Sequence, residues 1–541
     1  LGRAVEQFQA TGQAEIDIDI QLPLGKKRKE VDQLQASGEI AFLDNELFFP
    51  VTDYLVTDLN GQLSFTTTSI KGEDIRGNFY GQPVNIDVYT FEDIANPETQ
   101  FHVSGNWAVA SLLKKFDWDF PSILDGSSQW DVVMHVPHKT VDYNVMFDAF
   151  SNLEGVRIGL SEIISKPAGQ SVPITVNLKI LGDARQLKVT SENTLDLNAT
   201  FDDDNNWLFD VASPVITGKG KLNANFDINT TGEFDLDHLN LSAFMSGDGE
   251  VARKWKLKAS NIPSLRLKAE SFVWYDWRLS NVEFETDHHS RGMVINNISI
   301  RDPHLQLTGK GSWLRRSWRL DEETTISFKV TSPNIGDTLQ HLGYSRYVDK
   351  SEMVATLHWQ WPGAPYRFNW RSLTGNSSVD FTNGIVSDID PGAGGRFLGL
   401  FNMLHLPKRL GLDFADVYKK GFVFDSITGS YVFGGGDAIT QDTEITASAA
   451  DLTMMGRVGV EDQDYDLVAI VRPHSSVASF AGGTLIAGPT LGVGLMLLQE
   501  VFGLDILGKD LHRIEGTWEN PVVTKITDDS DEEPEDLFDD T

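Results

Sequence analysis

Residues 16–22 read Ile, Asp, Ile, Asp, Ile, Gln, Leu, and that two-residue rhythm returns through most of the 541-residue chain. Ile174, Val176, Leu178 and Ile180 keep it, as do Leu195, Leu197, Ala199 and Phe201. Leu222, Ala224, Phe226 and Ile228 follow, then Trp255, Leu257 and Ala259, then Leu265, Leu267 and Ala269. Successive side chains of an extended strand point to opposite faces, so each run predicts a strand with one oily and one polar side. Gly, Asn, Asp and Pro punctuate the runs where hairpin turns need them. "GKKRKE" at 25–30 reads as a polar loop between two strands. Such a chain can hide its apolar sides in stacked, sealed sandwiches, or leave them as the floor of one open trough. Alternation alone leaves both open.

Helical patterns are few. Ala108–Phe116 is a short amphipathic candidate, with Ser104 or Asn106 near its start. Ile335–Leu342 is a second, with Asn334 as N-cap and Gly343 as its stop. Arg396–Leu404 is a third: Phe397, Leu400, Phe401 and Leu404 share one stripe, and Pro407 ends it.

An internal repeat links the first two helices. "FHVS" at 101–104 matches "FKVT" at 328–331, and each precedes a helix pattern. Leu124-Asp125-Gly126-Ser127 then matches Val348-Asp349-Lys350-Ser351, and a strand follows each, ending at Pro137 or Pro362. Tyr143, Val145 and Phe147 match Tyr366, Phe368 and Trp370; Leu153 and Gly155 match Leu373 and Gly375. The spacing implies a module of about 200 residues used at least twice, stacked rather than independently folded.

Charge and motifs narrow the function. Forty-five basic residues against 78 acidic ones leave a net charge of −33, which repels phosphate and argues against nucleic-acid binding. Zero Cys excludes disulfides, thiol catalysis and thiolate metal sites. The sequence has no HExxH, GxSxG, Walker loop or GxGxxG. His288 and His289 are adjacent, so on a strand they face opposite ways and do not share a metal. Asp17 and Asp19 share a strand face, as glycosidase carboxylates can, but 78 acids make such pairs common by chance. "GGGD" at 434–437 reads as a hairpin turn. The expectation is a non-enzyme with no catalytic, metal or cofactor site.

The stretch from Asp388 to Ile526 carries the longest motifs. It holds "GRFLGL" at 395–400, "LPKRLGLDFADV" at 406–417 and "KGFVFDSITG" at 420–429, then an apolar, glycine-rich run from Val477 to Leu498. Upstream lie "WPGAPYRF" at 361–368, "IGDTLQHLGY" at 335–344 and "GQPVNIDV" at 81–88. In order and spacing these resemble the C-terminal part of the AsmA-like family, in its large YhdP-type branch.

The resemblance implies a periplasmic bridge that carries glycerophospholipids between the inner and outer membranes of a Gram-negative envelope and so serves outer-membrane lipid homeostasis. The implied fold is mainly β: an elongated, repeat-built antiparallel sheet curved into a hydrophobic groove, with short helices at module joints and an apolar helical segment near the C-terminus. Residues 1–170 and 171–387 would be two groove modules, 388–526 the family's C-terminal region with an apolar helix at 477–503, and 527–541 a disordered acidic tail. The chain opens on Leu1 without a signal peptide or span, which reads as a fragment lacking an upstream inner-membrane anchor. An envelope protein partner fits the same picture.

Such a conduit needs no catalytic constellation. Exposing about thirty lipid methylenes to water costs on the order of 20 kcal/mol, at ~0.8 per methylene, so the path must stay apolar throughout. On this reading it is lined by Ile16, Ile18, Ile20, Leu63, Phe65, Ile86, Val88, Val176, Leu178, Leu195, Leu197, Phe201, Leu222, Phe226, Leu257, Leu267, Phe328 and Phe433. About thirty strands at ~4.8 Å would span roughly 140 Å, a length that suits a bridge.

No charge occurs from Ser475 to Gln499, near the length of a membrane span. Pro489 and several glycines interrupt it, and "HRIEGTWENPVVTKI" resumes a strand pattern beyond it. The run spans a membrane, caps the groove as a helix hairpin, or touches the outer membrane as a delivery end. Phe397, Leu400, Phe401, Leu404, Phe480, Leu485, Leu491, Leu495, Leu498 and Phe502 are the membrane-proximal or capping candidates, and Lys408, Arg409, Lys419 and Lys420 could meet anionic headgroups. A structural or adhesive β-sandwich protein and a carbohydrate-active β-solenoid remain the alternatives.

Overall fold

Phe79 and Gln82 face each other across a two-residue turn, Tyr80–Gly81. Both turn residues have positive φ, 49° and 77°, the geometry whose twist matches two right-twisted strands. Antiparallel hairpins build most of the described residues, and the protein is mainly β with little helix. The structure, a computed structural model, describes residues 9–21, 35–49, 54–92, 95–108, 124–139, 141–159, 165–192, 194–223, 228, 230–245, 259–316, 321–386, 422–448, 450–474 and 510–526. Several expectations fall outside them: the loop at 25–30, the helix pattern from residue 109, the motifs at 395–420, the apolar run at 477–503 and the acidic tail.

Two units divide the chain, 1–257 with 269–275 and 258–268 with 276–541. The first contains β1 (Gln9–Gln21), β2 (Gln35–Phe49), β3 (Tyr54–Thr66), β4 (Ile70–Phe79), β5 (Gln82–Phe91), β6 (Glu98–Trp107), β7 (Leu124–Asp125), β8 (Ser128–Pro137) and β9 (Val145–Ser151). It continues with β10 (Arg157–Gly159), β11 (Ser165–Lys166), β12 (Ile174–Leu181), β13 (Ala184–Ser191), β14 (Leu195–Phe201), β15 (Asn206–Ala212), β16 (Ile216–Asn223), β17 (Thr231–Asn240) and the short α1 (Ser242–Met245). Strands β7, β10 and β11 form a small sheet of their own. The other fourteen pair strictly in chain order, each antiparallel to the last.

The second unit repeats the plan. β18 (Ser264–Trp274) is divided between the units; after it come β19 (Trp277–His289), β20 (Gly292–Arg301), β21 (Gln306–Arg315), β22 (Glu322–Ser332), α2 (Ile335–His341), β23 (Val348–Asp349), β24 (Glu352–Pro362), β25 (Thr374–Val386), β26 (Phe422–Gly434), β27 (Asp437–Thr446), β28 (Ala450–Gly459), β29 (Asp464–Pro473), β30 (Asp510–Thr517) and β31 (Pro521–Ile526). From β19 onward each strand again pairs antiparallel with its predecessor, except that β22 pairs β24, and β23 extends that rung against β25.

The first part of the repeat occupies matching elements, whereas Val145 and Phe147 lie in β9 while Tyr366 and Trp370 of the matching segment lie in short 3-10 turns. "FHVS" lies in β6 and "FKVT" in β22. Leu124–Asp125 and Val348–Asp349 are the two-residue strands β7 and β23, each followed by a positive-φ residue, Gly126 at 97° and Lys350 at 58°. β8 and β24 both end on the aligned prolines and pair back onto β6 and β22.

Burial differs along the ladder. β1 is exposed throughout. Between β3 and β9, Val56, Leu59, Ile75, Val84, Val88, Phe101 and Met134 form a buried cluster. From β12 to β16 the apolar side is mostly half-buried. In the second unit, Ile427, Ile445, Leu452, Met454, Leu467 and Ile514 are sealed from solvent.

Candidate functional site

The register joins apolar side chains into an unbroken row across the first unit. It runs Ile16, Ile40, Leu63, Gly72, Val88, Phe101 and Met134 through β1–β8, each residue directly opposite the next. It goes on through Phe147, Leu178, Leu187, Ala199, Phe209, Gly220 and Phe234, from β9 to β17. Fourteen strands each contribute one residue, and none is polar. A second row, Val282, Ile300, Leu307, Val330, Ala355, Val379 and Gly429, crosses β19–β26 in the other unit. Strand alternation puts the residues two positions away on the same side, so each row is the middle of an apolar band.

The sequence-selected residues occupy these bands to different depths. Ile16, Ile18 and Ile20 are 50–56% exposed on β1. Leu63, Phe65, Val176, Leu178, Leu195, Leu197, Phe201, Leu222, Leu267 and Phe328 are half-buried. Ile86, Val88 and Phe433 are buried, the last with its ring 5.6 Å from that of Trp359. Phe226, Leu257, Phe397, Leu400, Phe401, Leu404, Phe480, Leu485, Leu491, Leu495, Leu498 and Phe502 lie outside the described residues. Reading the sequence missed Phe101, Met134, Phe147, Leu187 and Phe209, which the pairing places between the chosen residues. Their own strands alternate too, but only register shows that they share a side.

The opposite face is largely polar and self-satisfied, except in β28–β31, where Met455, Ile470 and Leu511 form a small buried cluster on it. His135 sits between two carboxylates, Nδ1 at 3.1 Å from Glu98 Oε1 and Nε2 at 3.3 Å from Asp148 Oδ2. Arg457 donates to Asp464 and Asp437, and these hydrogen bonds raise its pKa further. Arg513 reaches Asp466 and Glu515. A cavity of about 760 Å³ lies across β12–β16. Most of its lining belongs to the polar set, including Asn177, Lys179, Lys188, Asn198, Asp210 and Lys219, and it also takes in Leu187, Ala199, Phe209 and Gly220 of the row.

Candidate chemistry stays dispersed. His288 and His289 end β19 at a hairpin: His288 Nδ1 lies 3.0 Å from the Ile262 carbonyl, and His289 Nδ1 accepts from Arg291 N. Gly435 and Gly436 turn β26 into β27 with φ of 68° and 99°. Asp17 faces Glu39 across the β1–β2 pair. Among the described residues no three His, Asp or Glu side chains are gathered as a metal site would need, and no helix is long and apolar enough to cross a membrane.

The family model described as YhdP protein matches residues 1–232 and 193–523. The chain belongs to the YhdP family. It is 21% identical to the intermembrane phospholipid transporter YhdP of Escherichia coli (strain K12), over 97% of this chain and 48% of that protein. The chain thus spans about half the length of its curated YhdP relative. No solved structure matches it.

Proposed function

We propose that this chain is a periplasmic segment of a bridge that carries glycerophospholipids between the inner and outer membranes and contributes to outer-membrane lipid homeostasis. Acyl chains lie along the apolar band, which acts as a groove, and headgroups stay in water. The unbroken fourteen-residue row from Ile16 to Phe234 carries the reading. At ~4.8 Å per strand it offers about 60 Å of continuous oily surface, and each buried methylene is worth ~0.8 kcal/mol against water. A gap of one polar strand would interrupt that gain, and the row has none. Phospholipid transport by the Escherichia coli relative supports the cargo.

The chain acts as a carrier and not as an enzyme on this reading, with no cofactor. One end of the full-length protein is anchored in the inner membrane, and the C-terminal end approaches the outer membrane, alone or through an envelope partner. Native mass spectrometry of the chain purified without detergent tests the proposal. Several co-purifying phospholipids are expected; a chain that stays lipid-free after exposure to phospholipid vesicles refutes it and favours a structural β-sandwich protein.

A further inference from the structure

Four phenylalanines share one arrangement. Phe65, Phe209, Phe328 and Phe424 each stand directly opposite a glycine on the neighbouring strand, namely Gly38, Gly220, Gly309 and Gly384. In every pair the ring leans over that glycine. Ring carbons lie 2.9 Å from the place a Cβ would occupy on Gly38, 2.8 Å on Gly220 and Gly309, and 2.7 Å on Gly384. Real Cβ atoms essentially never approach so closely, so a side chain at Gly220, whose near neighbours are all Phe209 ring carbons, would lift the ring, while at Gly38 and Gly309 it would also meet the Asp17 and Ser327 carbonyl oxygens. None of the four glycines needs positive φ, and glycine inside a strand otherwise weakens it. The space above the backbone is what the position uses.

A phenylalanine standing upright on a strand projects into whatever lies above the sheet, whereas one lying over a glycine adds apolar surface without height. Three of the pairs, at Gly38, Gly220 and Gly309, are half-buried and therefore belong to the accessible part of the band. The Gly384 pair is buried and serves packing. Phe209 is the best placed: it lies in the fourteen-strand row between Ala199 and Gly220, and its ring meets Phe234 edge-on at 6.1 Å.

We propose that these cross-strand Phe–Gly pairs set the depth of the lipid path, the glycine giving each ring a place to lie so that the space above stays wide enough for a two-chain phospholipid. This inference rests on the transport reading. Laid-over aromatic rings also stabilise glycine-containing strands, so the test needs a readout beyond stability.

The full chain is purified without detergent after incubation with phosphatidylethanolamine–phosphatidylglycerol vesicles, and bound phospholipid per chain is measured by phosphorus assay beside the thermal midpoint. Gly220→Val raises the Phe209 ring and lowers bound lipid several-fold. Adding Phe209→Ala to Gly220→Val removes the raised ring and restores binding toward that of the unaltered chain, although it does not restore the lost packing. If Gly220→Val does not fold, Gly220→Ala with and without Phe209→Ala carries the same comparison. Equal lipid on the unaltered chain and the single variant overturns this inference alone, as does a double variant as empty as the single one. An unaltered chain with no lipid overturns the transport reading and this inference together.

Discussion

Lys166 is a buried charge with a structural role. It is 4% exposed, and its ammonium donates to the carbonyls of Leu153, Val156 and Pro167 at 2.7, 2.6 and 3.3 Å. The charge pins the loop that carries β10 and β11. Lys166→Met strands those carbonyls, and a loss of about 2 kcal/mol or more in urea-unfolding stability is expected; an unchanged midpoint would mean that water replaces the ammonium. His474 gives the protein a pH signature. The Asp451 carboxylate, 3.1 Å away, and then the Ser448 carbonyl raise its pKa above 6.5. The folded chain therefore holds this proton more tightly than the unfolded one. Its contribution is complete below the unfolded value and fades as pH rises through the folded value. His474→Asn should lower the thermal midpoint in mildly acidic buffer and leave it unchanged in alkaline buffer. The pair is exposed, so the shift is small. Neither role was legible in the sequence: nothing near Lys166 marks three carbonyls as its partners, and Asp451 lies a strand away from His474.

Among the elements, β-strands were the readable part. The alternation of Leu195, Leu197, Ala199 and Phe201 marks a strand with one apolar side, because a period of two is what a half-buried strand imposes. Which side of the next strand joins it is a matter of register. Register depends on turn lengths and on bulges such as those between Thr217 and Gly218 and between Thr428 and Val432. A bulge adds a residue and reverses the phase; Phe209 and Gly220 pair without one and alternate correctly, but only the register Ala199–Phe209–Gly220 sets them on the band. Helix α2 starts on a local signal. Asn334 Oδ1 accepts from Gly336 N at 3.1 Å and also from Lys350 N at 3.1 Å, while its amide reaches Asp337 at 2.8 Å. Asn334→Ala removes the cap and a link to the loop after β23, and is expected to cost about 1 kcal/mol in chemical denaturation. A change confined to the helix, with no effect on the midpoint of the whole unit, would show that the link to Lys350 is idle.

At the scale of the whole molecule the candidate site is a surface rather than a point. Each strand lends one or two side chains, so truncating one of them changes little, but a charge on the band is different. Leu197 lies between Val189 and Val211, and Leu197→Glu sets a carboxylate beside acyl chains, where its desolvation is unfavourable. Loss of lipid photo-crosslinking at neighbouring band positions is expected, with the circular dichroism spectrum preserved; undiminished crosslinking would place the lipid elsewhere. The same substitution one residue along, Asn198→Glu, falls on the polar face and should leave crosslinking intact. The sequence revealed the mainly-β character and the family, because the motifs at 395–429 are local strings. It did not reveal how deeply the apolar side is covered, exposed on β1, buried in β3–β9 and half-buried in β12–β16 of the first unit and sealed in β27–β30 of the second, because burial depends on what lies above a strand.

Among the described residues, from β1 to β17 and from β19 to β31, each long strand bonds to the long strand before it, most across a short turn, although residues 387–421 separate β25 from β26 and residues 474–509 separate β29 from β30. Loop closure is therefore cheap wherever the turn is short, and costs more at those two steps. A polypeptide wired in this way can organise itself in the order in which it is delivered, adding one rung at a time to a growing end. Folding then needs no complete chain, and length can be gained or lost hairpin by hairpin without disturbing the rungs already laid.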